Sequence, residues 1–244
     1  MAVLCEGSEE IQRTKMKVKG DKERLLKLIE QGEHEQQDFK YKVMDAAKLA
    51  KSVSAFANTN GGRLLIGVRD DGKVHGVTSE EEIFMMHAAA ERYCIPVPNI
   101  EFETIQVEGR TVVICSIPRS EKRPIYAVED VKIDAQTGEV HHEGKRCAYI
   151  RIKDENIVAS PVHLDIWKHE RQERGSIVHY SEEDTRVVET LEKHNEALSL
   201  NRIVRLSGVQ RFKVIKILSR LIRYDLAEWR FEEREFRFGI INEE

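Results

Sequence analysis

The sequence predicts an α+β protein, in which a mixed, mainly antiparallel sheet domain with flanking helices precedes a smaller domain of three helices and a hairpin. Two observations carry this prediction. Between residues 21 and 174, helical and strand patterns are mixed without the regular strand–helix alternation of a parallel sheet. Past Asp184 the pattern changes to three successive helices and one alternating hairpin. A chain of 244 residues, 41% of them hydrophobic, can bury a sizeable core.

The first elements are predicted to be a tail, two helices and a strand. Residues 1–20 are polar and lack periodicity, which predicts a loose tail. The run DKERLLKLIEQG (21–32) predicts a short helix, and QDFKYKV (37–43) predicts a strand. In DAAKLAKSVSAFANT (45–59), apolar residues recur at helical spacing behind the capping residue Asp45. This run therefore predicts a second helix.

The stretch NTNGGRLLIGVRDDGKVHGV contains five glycines around a short apolar run. Gly61 is predicted to close the helix in the left-handed conformation, and Gly62 to turn the chain into the strand RLLIGVR. Asp71 and Gly72 predict a hairpin that joins this strand to KVHGV. The phosphate-binding pattern GxxxxGK[ST] does not occur, and no GxGxxG follows a strand, so the sequence gives ATP binding no support.

The remaining patterns complete the first domain, which is predicted to span residues 21–174. They are a helix in SEEEIFMMHAAAERYC, two strands meeting at Glu108 and Gly109, short strands in KRPIYAV and CAYIRI, a hairpin in VKIDAQTGEVHHEG, and a helix in PVHLDIWKHERQERGS. The polar residues 175–184 are predicted to form a linker.

Residues 185–244 are predicted to form a winged helix-turn-helix, because three helical patterns precede the alternating run WRFEEREFRFGI. In the third helix, an apolar stripe runs opposite a basic one. The apolar stripe consists of Val214, Ile217, Leu218 and Leu221, and the predicted nucleic-acid contacts are Arg211, Lys213, Lys216, Arg220 and Arg223. From Asn201 to Arg230 there are eight Lys or Arg against two acids, which favours DNA contact. A charged face on a protein-interaction winged helix is the alternative.

Charge and composition bound the remaining functional classes. The net charge of −4 gives no whole-chain attraction to nucleic acid, so binding must come from local basic surfaces. The four cysteines show no CxxC spacing, the N-terminus has no apolar signal segment, and no apolar run is long enough to span a membrane. A cytoplasmic protein without membrane contact is expected.

Three carboxylates frame a possible catalytic site. Glu33 and Asp38 lie at the start of the first strand, and Asp70 ends the next one. If the two strands pair, these acids could converge to hold Mg²⁺ or Mn²⁺, with Lys40 balancing the charge of a phosphodiester. Turn formation by Asp70 and ordinary surface exposure of the other acids remain the alternative. No cofactor other than this conditional metal is indicated.

The motifs E-x-x-x-x-D-F-K (Glu33–Lys40), SAFANTNGGRLLIGVRDDGKVHGV (Ser54–Val77), KRPIYA and AYIRI together resemble the Schlafen AlbA-type domain, also called the divergent AAA-associated domain. The resemblance covers about 140 residues, from near Glu33 to near Lys168. Many bacterial members look like transcriptional regulators in which a winged helix follows this domain. The resemblance thus implies nucleic-acid binding.

In animal Schlafen proteins the same block belongs to an endoribonuclease that uses three acids and a divalent metal. The resemblance carries these acids to Glu33, Asp38 and Asp70. The second acid is Asp here instead of Glu, and the chain has one copy of the domain where those nucleases have two. A homodimer could supply the second copy.

Two principal hypotheses follow. The first is a homo-oligomeric transcriptional regulator that contacts DNA through the basic helix. The second is a metal-dependent endoribonuclease that cleaves structured RNA with Glu33, Asp38 and Asp70, assisted by Lys40. The appended basic domain favours the first, and a protein-interaction adaptor is a third.

Overall fold

The computed structural model describes residues 17–18, 22–170, 172, 180–194 and 196–241. They form two compact units that divide between Ile157 and Val158. The predicted tail, except for Lys17 and Val18, and most of the predicted linker lie outside the described residues. The division comes before the helix that starts at Pro161, which the sequence assigned to the first domain.

The described residues of the first unit form the helices α1 (Lys22–Glu30), α2 (Ala46–Asn58) and α3 (Ser79–Tyr93). Its strands are β1 (Lys17–Val18), β2 (Gln37–Lys40), β3 (Gly62–Ile66), β4 (Cys94–Ile95), β5 (Glu101–Val107), β6 (Arg110–Ile117), β7 (Tyr126–Val128), β8 (Val131–Ile133), β9 (Val140–His142), β10 (Arg146–Ile152) and β11 (Glu155–Val158). This mixed content confirms the predicted α+β class.

The strands form two main sheets and one separate hairpin. The larger sheet has the order β1-β5-β6-β3-β2, and the smaller one the order β11-β10-β7-β4, while β8 pairs with β9. Antiparallel pairs predominate, but β2 runs parallel to β3 with Asp38 opposite Leu64. The two strands whose pairing was the condition for a carboxylate site therefore do pair.

Alternation along β3 explains how both faces of the larger sheet are covered. Leu64 and Ile66 join the core formed with α2 and α3, whereas Leu65 packs with Leu25 of α1 and Phe39 of β2 on the other face. Helix α2 also contacts β7 and β10 of the smaller sheet. It is therefore buried along most of its length, and it packs against both sheets.

The two ends of α2 are fixed by specific hydrogen bonds. At its start, Asp45 accepts from the Lys48 N–H at 3.1 Å, which confirms the predicted cap. At its end, the buried Asn58 donates to the carbonyls of Ile125 at 2.9 Å and Tyr149 at 3.0 Å, and accepts from the Ile125 N–H at 2.7 Å. Gly61 then has a φ of +70°, as predicted. The chain thus enters β3 from a rigid junction.

The predicted hairpin at Asp71 and Gly72 is wrong in its second strand. The segment KVHGV makes only one β-bridge, between Val68 and Val74. The physical reason is that both edges of β3 are occupied, by β2 on one side and β6 on the other. The segment therefore continues as an irregular loop over the sheet edge.

The second unit contains α4 (Pro161–His169), α5 (Glu182–Glu192), α6 (Leu200–Ser207) and α7 (Arg211–Arg223). Three strands, β12 (Leu198–Ser199), β13 (Ala227–Glu232) and β14 (Glu235–Ile240), form a sheet of order β12-β14-β13. Val162 of α4 belongs to the same core as Val214 and Leu218 of α7. This packing explains why α4 belongs to the second unit.

Helix α4 is also joined to the β13–β14 hairpin by aromatic contacts. The ring of the buried His163 lies 4.7 Å from the rings of both Trp229 and Phe236. Burial lowers the pKa of His163 to about 4, so this imidazole is neutral at pH 7. The helix therefore contributes an uncharged side chain to a largely apolar interface.

Candidate functional site

The first two predicted carboxylates come together at the start of β2. Glu33 accepts the Phe39 N–H at 2.8 Å, while Asp38, only 5% exposed, lies on the strand itself. Burial and the neighbouring Asp38 raise the pKa of Glu33 above its ordinary value of 4.5. Glu33 and Asp38 thus form a contact between two carboxyl groups. Glu33 binds a proton more readily than an ordinary glutamate does.

Both oxygens of Asp38 face cations. Lys40 Nζ lies 2.5 Å from Oδ2, and Arg151 Nη2 lies 3.3 Å from Oδ1. Lys40 is on the same face of β2 as Asp38, because side chains two residues apart share one face of a strand. Lys40, which was predicted to balance the charge of a phosphodiester, is therefore paired with Asp38 of the same site.

Arg151 is a residue that sequence reasoning missed. Its side chain is 2% exposed, and its guanidinium donates to Asn156 at 2.9 Å and lies 5.0 Å from the centre of the Phe56 ring. The available signal was a charged residue between Ile150 and Ile152, within the largely apolar run CAYIRI, since a buried charge requires a partner. That partner is Asp38.

Asp70 does not join this cluster. It is exposed and follows the end of β3 by four residues, in the loop that replaces the predicted hairpin. In the described part of the chain, no three His, Cys, Asp or Glu side chains lie close enough to hold a metal ion. Because Asp38 is already paired with two cations, the residues as arranged do not fit a three-carboxylate Mg²⁺ or Mn²⁺ site.

Two of the five predicted nucleic-acid contacts on α7 form ion pairs inside the second unit. Lys213 donates to the two carboxylate oxygens of Glu183 at 2.7 and 2.9 Å, and Arg220 donates to Asp184. The expectation that the whole basic stripe is free for a ligand is therefore corrected. Lys213 and Arg220 are paired because the acidic N-terminus of α5 packs beside α7.

Arg223, at the end of α7, donates to the backbone carbonyl of Gln172 at 3.1 Å. Among the described residues, no ion pair joins this guanidinium to a carboxylate. The charge of Arg223 is thus available to the surroundings, although one of its donors is occupied.

The N-terminal half of α7 presents the accessible cations. Arg211 and Lys216 are exposed, and Phe212 between them is 54% exposed. Arg211 contacts the neutral side chain of Asn201 at 2.5 Å, and Lys216 Nζ lies 6.0 Å from the centre of the Phe212 ring. Within the described ranges, neither cation has a carboxylate partner. This end of the helix is therefore a compact basic surface with an aromatic group.

The β13–β14 hairpin does not extend that basic surface along its length. Arg230 pairs with Glu228, and Arg237 pairs with Glu233 at 2.5 Å. Only Arg234, at the exposed tip, adds a cation in a position to reach a ligand. Of α7 and this hairpin, α7 thus carries more of the accessible positive charge.

Comparison with known families assigns the first unit. The model of the Schlafen, AlbA_2 family matches residues 33–160. The chain belongs to the Schlafen AlbA_2 family. Residues 33–160 contain Glu33, Asp38, Asp70 and Arg151, so the carboxylate cluster lies inside the Schlafen AlbA_2 domain, whereas α7 lies outside it.

Two solved structures are similar to this AlbA_2 protein. The DIP2311 protein from Corynebacterium diphtheriae has 13% identity and a TM-score of 0.40; the match covers 76% of this chain and 32% of that one. The N-terminal domain of an ATP-dependent DNA helicase RecG-related protein from Nitrosomonas europaea has 18% identity and a TM-score of 0.33, with 65% and 97% covered. The chain thus spans about a third of the Corynebacterium protein.

No curated protein matches the sequence significantly. Among the described residues, the helices are all too short or too polar to cross a membrane.

Proposed function

We propose that this protein is a DNA-binding transcriptional regulator whose second unit is a winged helix-turn-helix. The observation that carries the proposal is the pair of exposed cations, Arg211 and Lys216, at the N-terminal half of α7. Membership of the Schlafen AlbA_2 family is consistent with nucleic-acid binding. Regulation of transcription is the role that best suits a small DNA-contacting unit attached to such a domain.

The order of elements in the second unit supports the winged-helix assignment. Helix α5, strand β12, helices α6 and α7 and the β13–β14 hairpin follow one another, and β12 pairs with β14. Helix α6 ends at Gly208 with a φ of +65°, and α7 begins two residues after Val209. In this arrangement α7 is the recognition helix, and the hairpin is the wing.

The ion pairs of α7 divide its cations into two roles. Lys213 and Arg220 hold α7 against α5, which fixes the direction of the helix. Arg211 and Lys216 are the groups that contact phosphate or base edges, with Arg223 at the far end. Two of the five residues predicted to bind nucleic acid therefore position the helix, namely Lys213 and Arg220. The other three contact the ligand, namely Arg211, Lys216 and Arg223.

The test is retention of a labelled DNA duplex by the full chain at several salt concentrations. Arg211→Glu with Lys216→Glu should reduce affinity at least about tenfold and lower the salt slope by about 2, since each neutralised phosphate contributes about 0.9. Lys193→Glu, at the exposed C-cap of α5, is the matched control. Undiminished retention by the double variant contradicts the proposal.

The same preparation distinguishes the endoribonuclease alternative. Structured RNA is incubated with Mg²⁺, Mn²⁺ or chelator, and cleavage by the natural chain is compared with cleavage by Asp70→Ala. Because Asp70 is exposed, this substitution is expected to leave the fold intact. Metal-dependent cleavage lost in Asp70→Ala would establish the nuclease and would show that the acids rearrange on substrate binding.

A further inference from the structure

We propose that the first unit carries a second binding site, which accepts one unpaired nucleotide at a platform formed by Tyr41 and His75. The rings of these two residues lie 4.3 Å apart, inclined at 40°. Tyr41 is 49% exposed, and His75 is exposed as well. An exposed aromatic pair is a surface on which a base can stack once it has left its own helix.

Two cations lie beside the platform. Lys42 and Arg110 are both exposed, and together with His75 they line one cavity of about 400 Å³. That volume is within the range of sites that hold small ligands of nucleotide size. A base stacked on the platform at His75 would therefore share this cavity with two positive side chains that suit its phosphate. This is the usual pairing of stacking and charge in single-strand binding.

The lining of the same cavity also contains acidic and hydroxyl groups. The buried Glu82 is occupied by the Val43 N–H at 2.9 Å, whereas Glu81 is exposed. Thr78 and Thr111 add hydroxyl groups. Lys42 and Arg110 are thus the groups that suit the phosphate. Glu81, which can only accept hydrogen bonds when ionised, suits the sugar hydroxyls or a base amino group.

Local backbone geometry explains how three separate segments meet here. Gly76, with a φ of +83°, passes so close to Arg110 that an added Cβ would lie 2.8 Å from the Arg110 Cβ. Arg110 in turn donates to the Val74 carbonyl at 2.5 Å. The irregular loop 67–77 is therefore held against the tip of the β5–β6 hairpin, and this contact places His75 beside Tyr41.

This site differs from the proposed duplex contact in ligand and location. A base must leave its own helix to stack on the platform, so the ligand is single-stranded or a free nucleotide. The platform and its two cations, Tyr41, His75, Lys42 and Arg110, belong neither to the carboxylate cluster nor to α7. The inference therefore does not depend on the winged-helix assignment.

The test uses the full chain carrying Lys216→Glu, so that α7 contributes little to binding. Fluorescence anisotropy measures the affinity for a labelled ten-nucleotide deoxythymidine strand. Tyr41→Ala should weaken binding by about 5-fold to 150-fold, the effect of losing one base–aromatic stack, while Tyr41→Phe should retain it. Tyr180→Ala, at a position 50% exposed, is the matched control. Equal affinities for Tyr41→Ala and Tyr180→Ala overturn the proposal.

Charge and location are checked separately. Lys42→Ala should weaken binding and reduce the salt slope by about 0.7, the single-strand value per phosphate, whereas Lys48→Ala on α2 should do neither. A strand containing 5-iododeoxyuridine should crosslink to Tyr41 or His75 under light, and crosslinks confined to α7 would contradict the site. Competition by thymidine monophosphate at lower concentration than by the strand would identify a free nucleotide as the ligand of the same site.

Discussion

Arg220 of α7 donates to Asp184, whose other carboxylate oxygen accepts from the backbone and side chain of Ser181 at 2.8 and 2.6 Å. One acid thus closes the N-terminal cap of α5 and also fixes α7 beside it. Asp184 is 4% exposed, so the loss of either partner leaves a nearly buried charge or donor unsatisfied. The orientation of the proposed recognition helix therefore depends on an internal ion pair.

Arg220→Ala is expected to destabilise the second unit by about 2 kcal/mol, a value reduced for the partial exposure of the guanidinium. Both tryptophans of the chain, Trp167 and Trp229, lie in this unit, so urea unfolding followed by tryptophan fluorescence reports on it selectively. Lys216→Ala, at an exposed position on the same helix, should change stability by less than about 0.5 kcal/mol. Equal effects of the two substitutions would show that the Arg220 pair is not structural.

The pairing of Asp38 with Arg151 makes a second prediction, for the first unit. Asp38→Asn leaves the guanidinium of Arg151 buried without its carboxylate and should cost about 3 kcal/mol. Replacement of both residues, Asp38→Asn with Arg151→Met, should cost less than the sum of the single changes. Hydrogen exchange of the α2 amides measures this unit, and Asp154→Asn in an exposed turn is the control. Additive effects in the double variant would mean that the two side chains are not coupled.

The features that the sequence predicted best are those set by neighbours in the chain. The apolar spacing of α2, its cap at Asp45 and the left-handed Gly61 all depend on a few consecutive residues. The pattern of α7 also identified the buried stripe that includes Val214 and Leu218. Periodicity reports which side of an element is buried, and these predictions required nothing more.

The features that sequence reasoning missed depend on partners far away in the chain. Arg151 and Asp38 are 113 residues apart, and spacing alone cannot join them. The helical pattern placed Lys213 and Arg220 away from the core, but it could not show that the acids of α5 occupy that side. The segment KVHGV has strand-like residues and no free strand to pair with, because β2 and β6 already flank β3.

The Glu33 carboxyl predicts a pH dependence with a definite sign. Burial and Asp38 raise its folded-state pKa above 4.5, so the folded chain binds this proton more tightly than the unfolded chain does. Ionisation of Glu33 therefore costs stability, and this cost develops as the pH rises from about the unfolded value through the raised folded value.

Glu33→Gln should remove that cost while its side-chain oxygen continues to accept the Phe39 N–H. We expect the variant to be more stable than the natural chain at pH 7, with a difference that disappears below pH 4.5. Thermal unfolding followed by circular dichroism at pH 4 and pH 7 measures both points. Glu35→Gln, at a neighbouring exposed position, should show no pH-dependent gain in stability. A loss of stability at pH 7 in Glu33→Gln would contradict the predicted sign.

The tip of the β13–β14 hairpin combines strain with exposed charge. Glu233 and Arg234 form its two-residue turn with φ values of 52° and 61°, a conformation that favours Asn-Gly sequences. A side chain in this region costs about 1 kcal/mol relative to glycine. Such strain often persists where the side chain has a function. Arg234 is the cation that the wing would bring to DNA.

Arg234→Gly is accordingly expected to stabilise the second unit by about 1 kcal/mol and to weaken retention of duplex DNA, since one phosphate contact is lost. Glu235→Gly, one residue later in β14, should instead destabilise the hairpin by about 0.5 to 1 kcal/mol, because glycine weakens a strand. Tryptophan fluorescence during urea unfolding and duplex retention are measured on the same samples. A stabilised Arg234→Gly chain that retains DNA fully would remove the hairpin tip from the proposed interface and leave α7 as its basic element.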